Sequence, residues 1–297
     1  MPTRREFLAI MTAVAAGAPI LAQERRRPSE VIQREIHSPL NGPIGLQMWS
    51  LRDQLKTDVP GTVAKIRTMG FREVEAAGLW GKSASYLRGV LDQAGLHCQS
   101  AHMDYERLRD NAAAALAEAR TLGATWVVCP WISEKVTRED ILRAADVFNA
   151  AAKAAHAVGM RFSYHCHGYE FIPSTEGTLF DTLAKATNPA QVEFQVDVFH
   201  AFFGGSDPVR LIEQYAPRVS SLHLKDLKKG VRVTPGAAVG TPDMDVPVGT
   251  GQLDMPAILR AAMKAGTKLY YIEDESADPL GHIPASVAYL EAFKPAA

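Results

Sequence analysis

The sequence predicts an α/β protein of the (β/α)8 barrel type, and three observations carry that expectation. Short apolar runs alternate eight times with longer, helix-sized segments from residue 43 onward. A glycine stands just ahead of five of the short runs (Gly70, Gly95, Gly123, Gly159 and Gly266), where a helix C-cap belongs. No GxGxxG follows the first run, so a doubly wound open sheet lacks its signature.

In order, the expected strands are IGLQMWS (44–50), FREVEAA (71–77), LHCQSAH (96–102) and TWVVCP (125–130). RFSYHCH (161–167), VEFQVDV (192–198), VSSLHLK (219–225) and LYYIEDE (269–275) complete the eight. TVAKIRTM, SASYLRGVLDQAG and AAAALAEARTLG are among the helical segments between them. After the seventh strand comes a long excursion rich in Gly and Pro, residues 226–255, which its position makes an active-site loop. The expected organisation is a leader over 1–22, a linker or N-terminal extension over 23–42, and one barrel domain over 43–297.

The leader expectation rests on the paired Arg4 and Arg5 ahead of an apolar run from Phe7 to Ile20, too short for a spanning helix. Ala22 then precedes polar sequence, giving an export signal of the twin-arginine type and a periplasmic or otherwise exported address. Position 23 is Gln, not the Cys of a lipid anchor, so membrane anchoring is not expected. Losing Arg4, Arg5 and Glu6 moves the formal charge from −1 to −2, which gives no general attraction for nucleic acid. Three cysteines and no CxxC argue against a disulfide framework.

Polar residues gather at one end of nearly every strand. Glu73 and Glu75 end the second, His102 the third, His165 and His167 the fifth. Asp197 and then His200 end the sixth, His223 and Lys225 the seventh, Glu273 and Glu275 the eighth. In a barrel those ends form the catalytic rim, whereas a purely structural interior would be Val, Ile and Leu. Period-2 alternation settles the run YHCH: with His165 and His167 facing inward, Cys166 faces away as a small apolar residue.

At these residues the chain resembles the sugar phosphate isomerase/epimerase superfamily, with its xylose-isomerase-like TIM barrel, and within it an exported branch marked by YHxH and HLKD. The resemblance runs through GLQMWSLRD, VEAAG, SAH, YHCHGYEF, VDVFHAFFGGSDPV, HLKD, PVGTGQLD and YIEDESADPL, almost the length of the mature chain. It implies one divalent metal, Mn, Zn, Fe or Co, held by His165, Asp197, His223 and Glu273. The chain departs from the best-understood epimerases in one respect: His165 stands where those carry a glutamate that serves as one of two acid/base groups.

The chemistry so implied is proton abstraction next to a carbonyl, with Glu273 as ligand and base. His167, His200 and Glu170 are candidates for acid, base or hydroxyl contacts, and Lys225 for holding a substrate oxygen or neutralising Asp197. Trp49, Glu75 and His102 are expected to line the sugar pocket, while Trp131, Phe202 and Phe203 are equally placed for stacking there or for core or loop packing. The first expectation is therefore an isomerase or epimerase of a keto-sugar or polyol-derived substrate. A lyase or hydrolase of keto-glycosides with the same metal and base is the alternative, and a non-catalytic sugar-binding module the third.

Overall fold

The computed structural model describes residues 34–133, 135–175 and 177–295; the leader and the first part of the expected extension lie outside the described residues. Eight strands close a barrel: β1 (Ile44–Gln47), β2 (Glu73–Ala76), β3 (His97–His102), β4 (Trp126–Cys129), β5 (Arg161–His165), β6 (Val192–Asp197), β7 (Val219–Leu224) and β8 (Leu269–Ile272). Each pairs in parallel with its sequence neighbours, and β1 pairs with β8 to complete the ring. The helices between them are α1 (Arg52–Thr57), α2 (Val59–Thr68), α3 (Ala84–Ala94), α4 (Tyr105–Leu122), α5 (Arg138–Ala157), α6 (Leu179–Ala186), α7 (Val198–Phe203), α8 (Pro208–Tyr215) and α9 (Met255–Ala265). The last, α10 (Pro279–Ala292), follows β8.

Local chemistry explains most boundaries. Thr137 opens α5 and Thr178 opens α6 with reciprocal capping boxes to Asp140 and Asp181. The five glycines that precede strands all hold positive φ, and Gly95, Gly123 and Gly266 are left-handed C-caps. All the strands but β3 end earlier than expected. The Gln47 side-chain carbonyl accepts the Trp49 N–H and turns the chain into a 3-10 helix, Met48–Leu51. Asp197 accepts the His200 N–H and starts α7, and β8 ends one residue before Glu273. His167, His200, Lys225, Glu273 and Glu275 therefore lie beyond the strand ends, whereas Glu75, His102, His165, Asp197 and His223 stay in the ladder.

Residues 34–42 cross the N-terminal ends of the strands. The Ile36 N–H donates to the Gly70 carbonyl, Leu40 is buried, and the Tyr270 hydroxyl donates to Asn41 Oδ1. The excursion is anchored by Asp226, whose carboxylate accepts the N–H groups of Gly249, Gly251 and Leu253. Among the described residues no helix is long and apolar enough to cross a membrane.

At the start of β2 the buried Glu73 accepts the Gln99 N–H (2.8 Å) and side-chain amide (2.9 Å), yet burial outweighs both and pushes its carboxyl up to about 7. The folded state therefore binds this proton more tightly than the unfolded chain. Its stability contribution is complete below the unfolded value near 4.5 and drains as the pH rises toward 7, by about 3 kcal/mol. Glu73→Gln cannot ionise, and turning the Gln99 amide over lets it accept and donate in place. Urea titrations at pH 5 and pH 8 are expected to show a smaller loss for the variant; an unchanged difference would remove Glu73 as its source.

Candidate active site

The C-terminal ends of the strands surround a cavity of about 620 Å³ that includes His102, His165, His167, His200, Lys225, Glu273 and Glu275. Donor atoms of His165, Asp197, His223 and Glu273, from β5, β6, β7 and the residue after β8, lie within 4.8 Å of one another. A second set, His102, His165 and His223, is as close but lacks a carboxylate. The first is the better cation site, since two imidazoles and two carboxylates suit Mn, Zn, Fe or Co and complement the ion's charge.

An observation independent of ligand type supports that fit. Asp197 is fully buried, and its Oδ2 takes no hydrogen bond, although Lys225 Nζ approaches to 3.2 Å. A buried carboxylate oxygen left so is costly unless a cation completes it. Without a metal, positive charge comes from Lys225 and His223. Lys225 is buried, which would lower its pKa, but Asp197, Glu273 and Glu275 overcome that and hold it well above its usual value. Burial likewise opposes the charge on His223, yet Glu273 and Glu75 raise it to about 10. Burial would raise Glu273, but Lys225 and His223 outweigh it and hold the carboxyl at about 2.

The ligand orientations are set from beneath. Glu75 is fully buried; its Oε1 accepts from the Ser100 hydroxyl and from Gln195 Nε2 (2.8 Å). Its Oε2 accepts from Gln47 Nε2 (2.7 Å) and His223 Nε2 (2.5 Å), with His102 Nε2 at 3.2 Å. Because Gln195 spends its amide N–H groups on Glu75 and Ser221, its oxygen must face the histidines, and it accepts from His165 Nδ1 at 3.0 Å. That leaves His165 Nε2 as the free donor atom. His223 in turn gives Nε2–H to Glu75 and turns Nδ1 toward Glu273 (2.8 Å). A carboxylate or amide behind each imidazole fixes its tautomer and raises its basicity as a ligand.

Above the metal set, His167 stacks on His200 with ring centroids 4.8 Å apart, and Trp131 meets His167 edge-on at 4.5 Å. Lys225 Nζ donates to His200 Nε2 (3.0 Å) and Glu275 Oε2 (2.6 Å), and Nδ1 of both His167 and His200 is buried without a partner. Trp49 lies at the mouth, 40% exposed.

Several sequence expectations are corrected. Glu75 does not line the cavity: it holds His223 and His102 from below, because a second-strand carboxylate here meets imidazoles before it can meet solvent. Glu170 is also outside the cavity, fully buried, accepting the Tyr164 hydroxyl and the His167 N–H (3.1 Å); burial pushes it up to about 7. Of the two placements open to Phe202 and Phe203, the structure takes core packing: Phe203 is in the core, Phe202 packs against it, and neither lines the cavity. The facing of YHCH is as expected: Cys166 is buried in the apolar core, while His165 and His167 both line the cavity. The sequence places Glu275 on the rim without a role of its own, and it does not single out Gln195. Gln195 had a signal, lying two residues before Asp197 on the same strand face.

A family model for the xylose isomerase-like TIM barrel matches residues 63–293. The chain belongs to that family. This xylose isomerase-like barrel is 26% identical over 207 residues to the inosose dehydratase of Geobacillus kaustophilus (strain HTA426), covering 59% of this chain and 67% of that enzyme. The inosose dehydratase of Bacillus anthracis (strain CDC 684 / NRRL 3495) is 32% identical over 95 residues, 32% of this chain, and is matched over only 31% of its own length. In fold the barrel resembles a sugar phosphate isomerase/epimerase from Parabacteroides distasonis ATCC 8503, with a TM-score of 0.70, 24% identity, and 86% and 96% of the two chains covered.

Proposed function

We propose that this chain is a metal-dependent lyase that removes water from a cyclic polyhydroxy ketone of the inosose kind. One observation carries the reading: Glu273, in the metal set, and Glu275, beside it, both follow β8 and both pair with Lys225 Nζ, at 2.8 and 2.6 Å. Two-base epimerisation needs proton-transfer groups on both faces of one carbon. The strand-five position for a second such carboxylate carries His165, which burial and the neighbouring histidines hold well below its usual pKa. Elimination needs one base and a nearby acid. The inosose dehydratase relatives agree with it. The isomerase or epimerase expected first from the sequence shares the opening proton abstraction but breaks no C–O bond after it.

A divalent ion at His165, Asp197, His223 and Glu273 would supply Lewis-acid polarisation of the ketone. Glu273, held ionised at neutral pH, takes the α-proton, and the C–H electron pair becomes the C=C bond of an enone. The β C–O bond breaks, and the hydroxyl leaves as water with a proton from the Lys225 ammonium. Glu273 then returns its proton to Lys225 across their 2.8 Å contact, so the net change is loss of one H₂O. His200, 3.0 Å from Lys225 Nζ, holds that ammonium toward the cavity.

The test is to load the protein with Mn²⁺ or Zn²⁺, add an inosose in D₂O, and follow enone absorbance and proton NMR. Enone formation is expected. Deuterium exchange with an epimer but no enone would return the reading to an epimerase, and no exchange at all would leave a binding module.

We also propose export by the twin-arginine machinery, on the Arg4–Arg5 pair and the apolar run after it. Replacing both arginines with lysine is expected to hold the precursor in the cytoplasm. Normal periplasmic accumulation of that variant would exclude the route.

A further inference from the structure

We infer that the cavity has a second, outer compartment that takes an apolar substituent, an alkyl or aryl group, carried on the polyol ketone ring. The inference rests on the lyase reading for the inner compartment. A six-carbon polyol ketone fills roughly 200 Å³, gauged from the ~30 Å³ a water molecule occupies in the liquid. The cavity holds about 620 Å³, so most of it lies beyond the ring when that ring sits against the metal set.

The two sides differ in chemistry. His165, His167, His200, Lys225, Glu273 and Glu275 come from the ends of β5 to β8, whereas Trp49, Leu79, Met103, Pro130 and Trp131 follow β1 to β4. Trp49 and Val239 are 40% and 48% exposed, apolar surface left uncovered at the mouth. Arg52 lies over the Trp49 ring, 5.5 Å from its centroid.

Charge decides against an anionic substituent such as a phosphate. Among the described residues, the Lys and Arg side chains lining the cavity are Lys225 and Arg107. Lys225 is shared among Asp197, Glu273 and Glu275. Arg107 is held bidentately by Glu118, at 2.8 and 2.9 Å. Neither cation is uncommitted, so a phosphate within the cavity would have to break a formed pair; Arg52, over Trp49, is not among the lining residues.

The wall beside Leu79 is built rather than incidental. Gly78, Trp80 and Gly81 all hold positive φ (115°, 48° and 73°), and the Lys82 N–H closes the turn on the Leu79 carbonyl. Positive φ is unfavourable for a bulky residue such as Trp80 and persists where surrounding structure enforces it. The strained turn presents Leu79 to the cavity.

The experiment compares an inosose with the same ring bearing an O-benzyl group, by calorimetry and by turnover. Burying the phenyl group is expected to tighten Kd and raise kcat/KM by about ten- to a hundredfold. Leu79→Asp is expected to bring the ratio between the two compounds close to one; if that variant fails to fold, Val239→Asp, at an exposed position, makes the same test. Turnover of the bare ring with no gain from the benzyl group would overturn the outer compartment and leave the lyase reading standing. Tighter binding of the benzyl compound without elimination of either would do the reverse. Failure to bind either ketone would overturn both.

Discussion

Glu273→Gln is expected to keep much of the metal and sugar binding while turnover falls by ~10²–10⁴-fold, the usual contribution of a positioned general base. The amide keeps the side chain's size and one oxygen that still coordinates weakly, but it carries no negative charge and cannot take a proton. Its neighbours would respond: Lys225 loses one of its three carboxylate partners, and the group facing His223 Nδ1 loses its charge. Metal content, sugar affinity and solvent deuterium exchange, measured together, separate these effects. Asp197→Ala provides the contrast: it removes a ligand together with the α7 cap and one partner of Lys225, so metal and activity should be lost in step. If Glu273→Gln retained metal and exchanged the α-proton at the wild-type rate, the base would have to be His167 or His200, the other candidates that line the cavity. Glu170 would not inherit the role, because it lies outside the cavity.

Glu75→Gln should weaken metal binding by about 10–100-fold, the usual effect of removing the partner behind a ligating imidazole. The carboxylate takes bonds on both oxygens from Ser100, Gln195, Gln47 and His223. An amide would turn an NH₂ toward groups that themselves donate. It would also free the Gln195 amide to flip, and with it the His165 tautomer. A metal-competition titration against a chelator reads this directly, beside the Michaelis constant of the metal-saturated enzyme. Lower metal affinity with a nearly unchanged Michaelis constant is the expected pattern. The reverse pattern would restore Glu75 to the substrate-contacting role expected from its place on the second strand.

The corrections share a physical origin. Alternation along a strand says which way a side chain points, and it brought His165 and His167 to the cavity while sending Cys166 into the core. It does not say how deep that side chain sits. Glu75 and His102 come from adjacent strands and both point inward, yet Glu75 has no exposed surface and His102 reaches the cavity. Glu170 follows the strand-five motif by only a few residues, but its 3-10 turn, Tyr169–Phe171, folds the carboxylate back onto the His167 N–H.

The sequence alone determined the barrel, through the β/α rhythm and the capping glycines. It also determined which strand ends carry polar chemistry, because the period-2 pattern and cap signals are local properties of a few consecutive residues. Only the tertiary structure decided the hierarchy within that polar set. Lys225 is shared by three carboxylates from two strand ends, and Gln195 links Glu75 on one strand to His165 on another. Such partnerships, with that of Glu75 and His223, join residues up to 148 positions apart, and they exist only once closure of the ring brings the strand ends together.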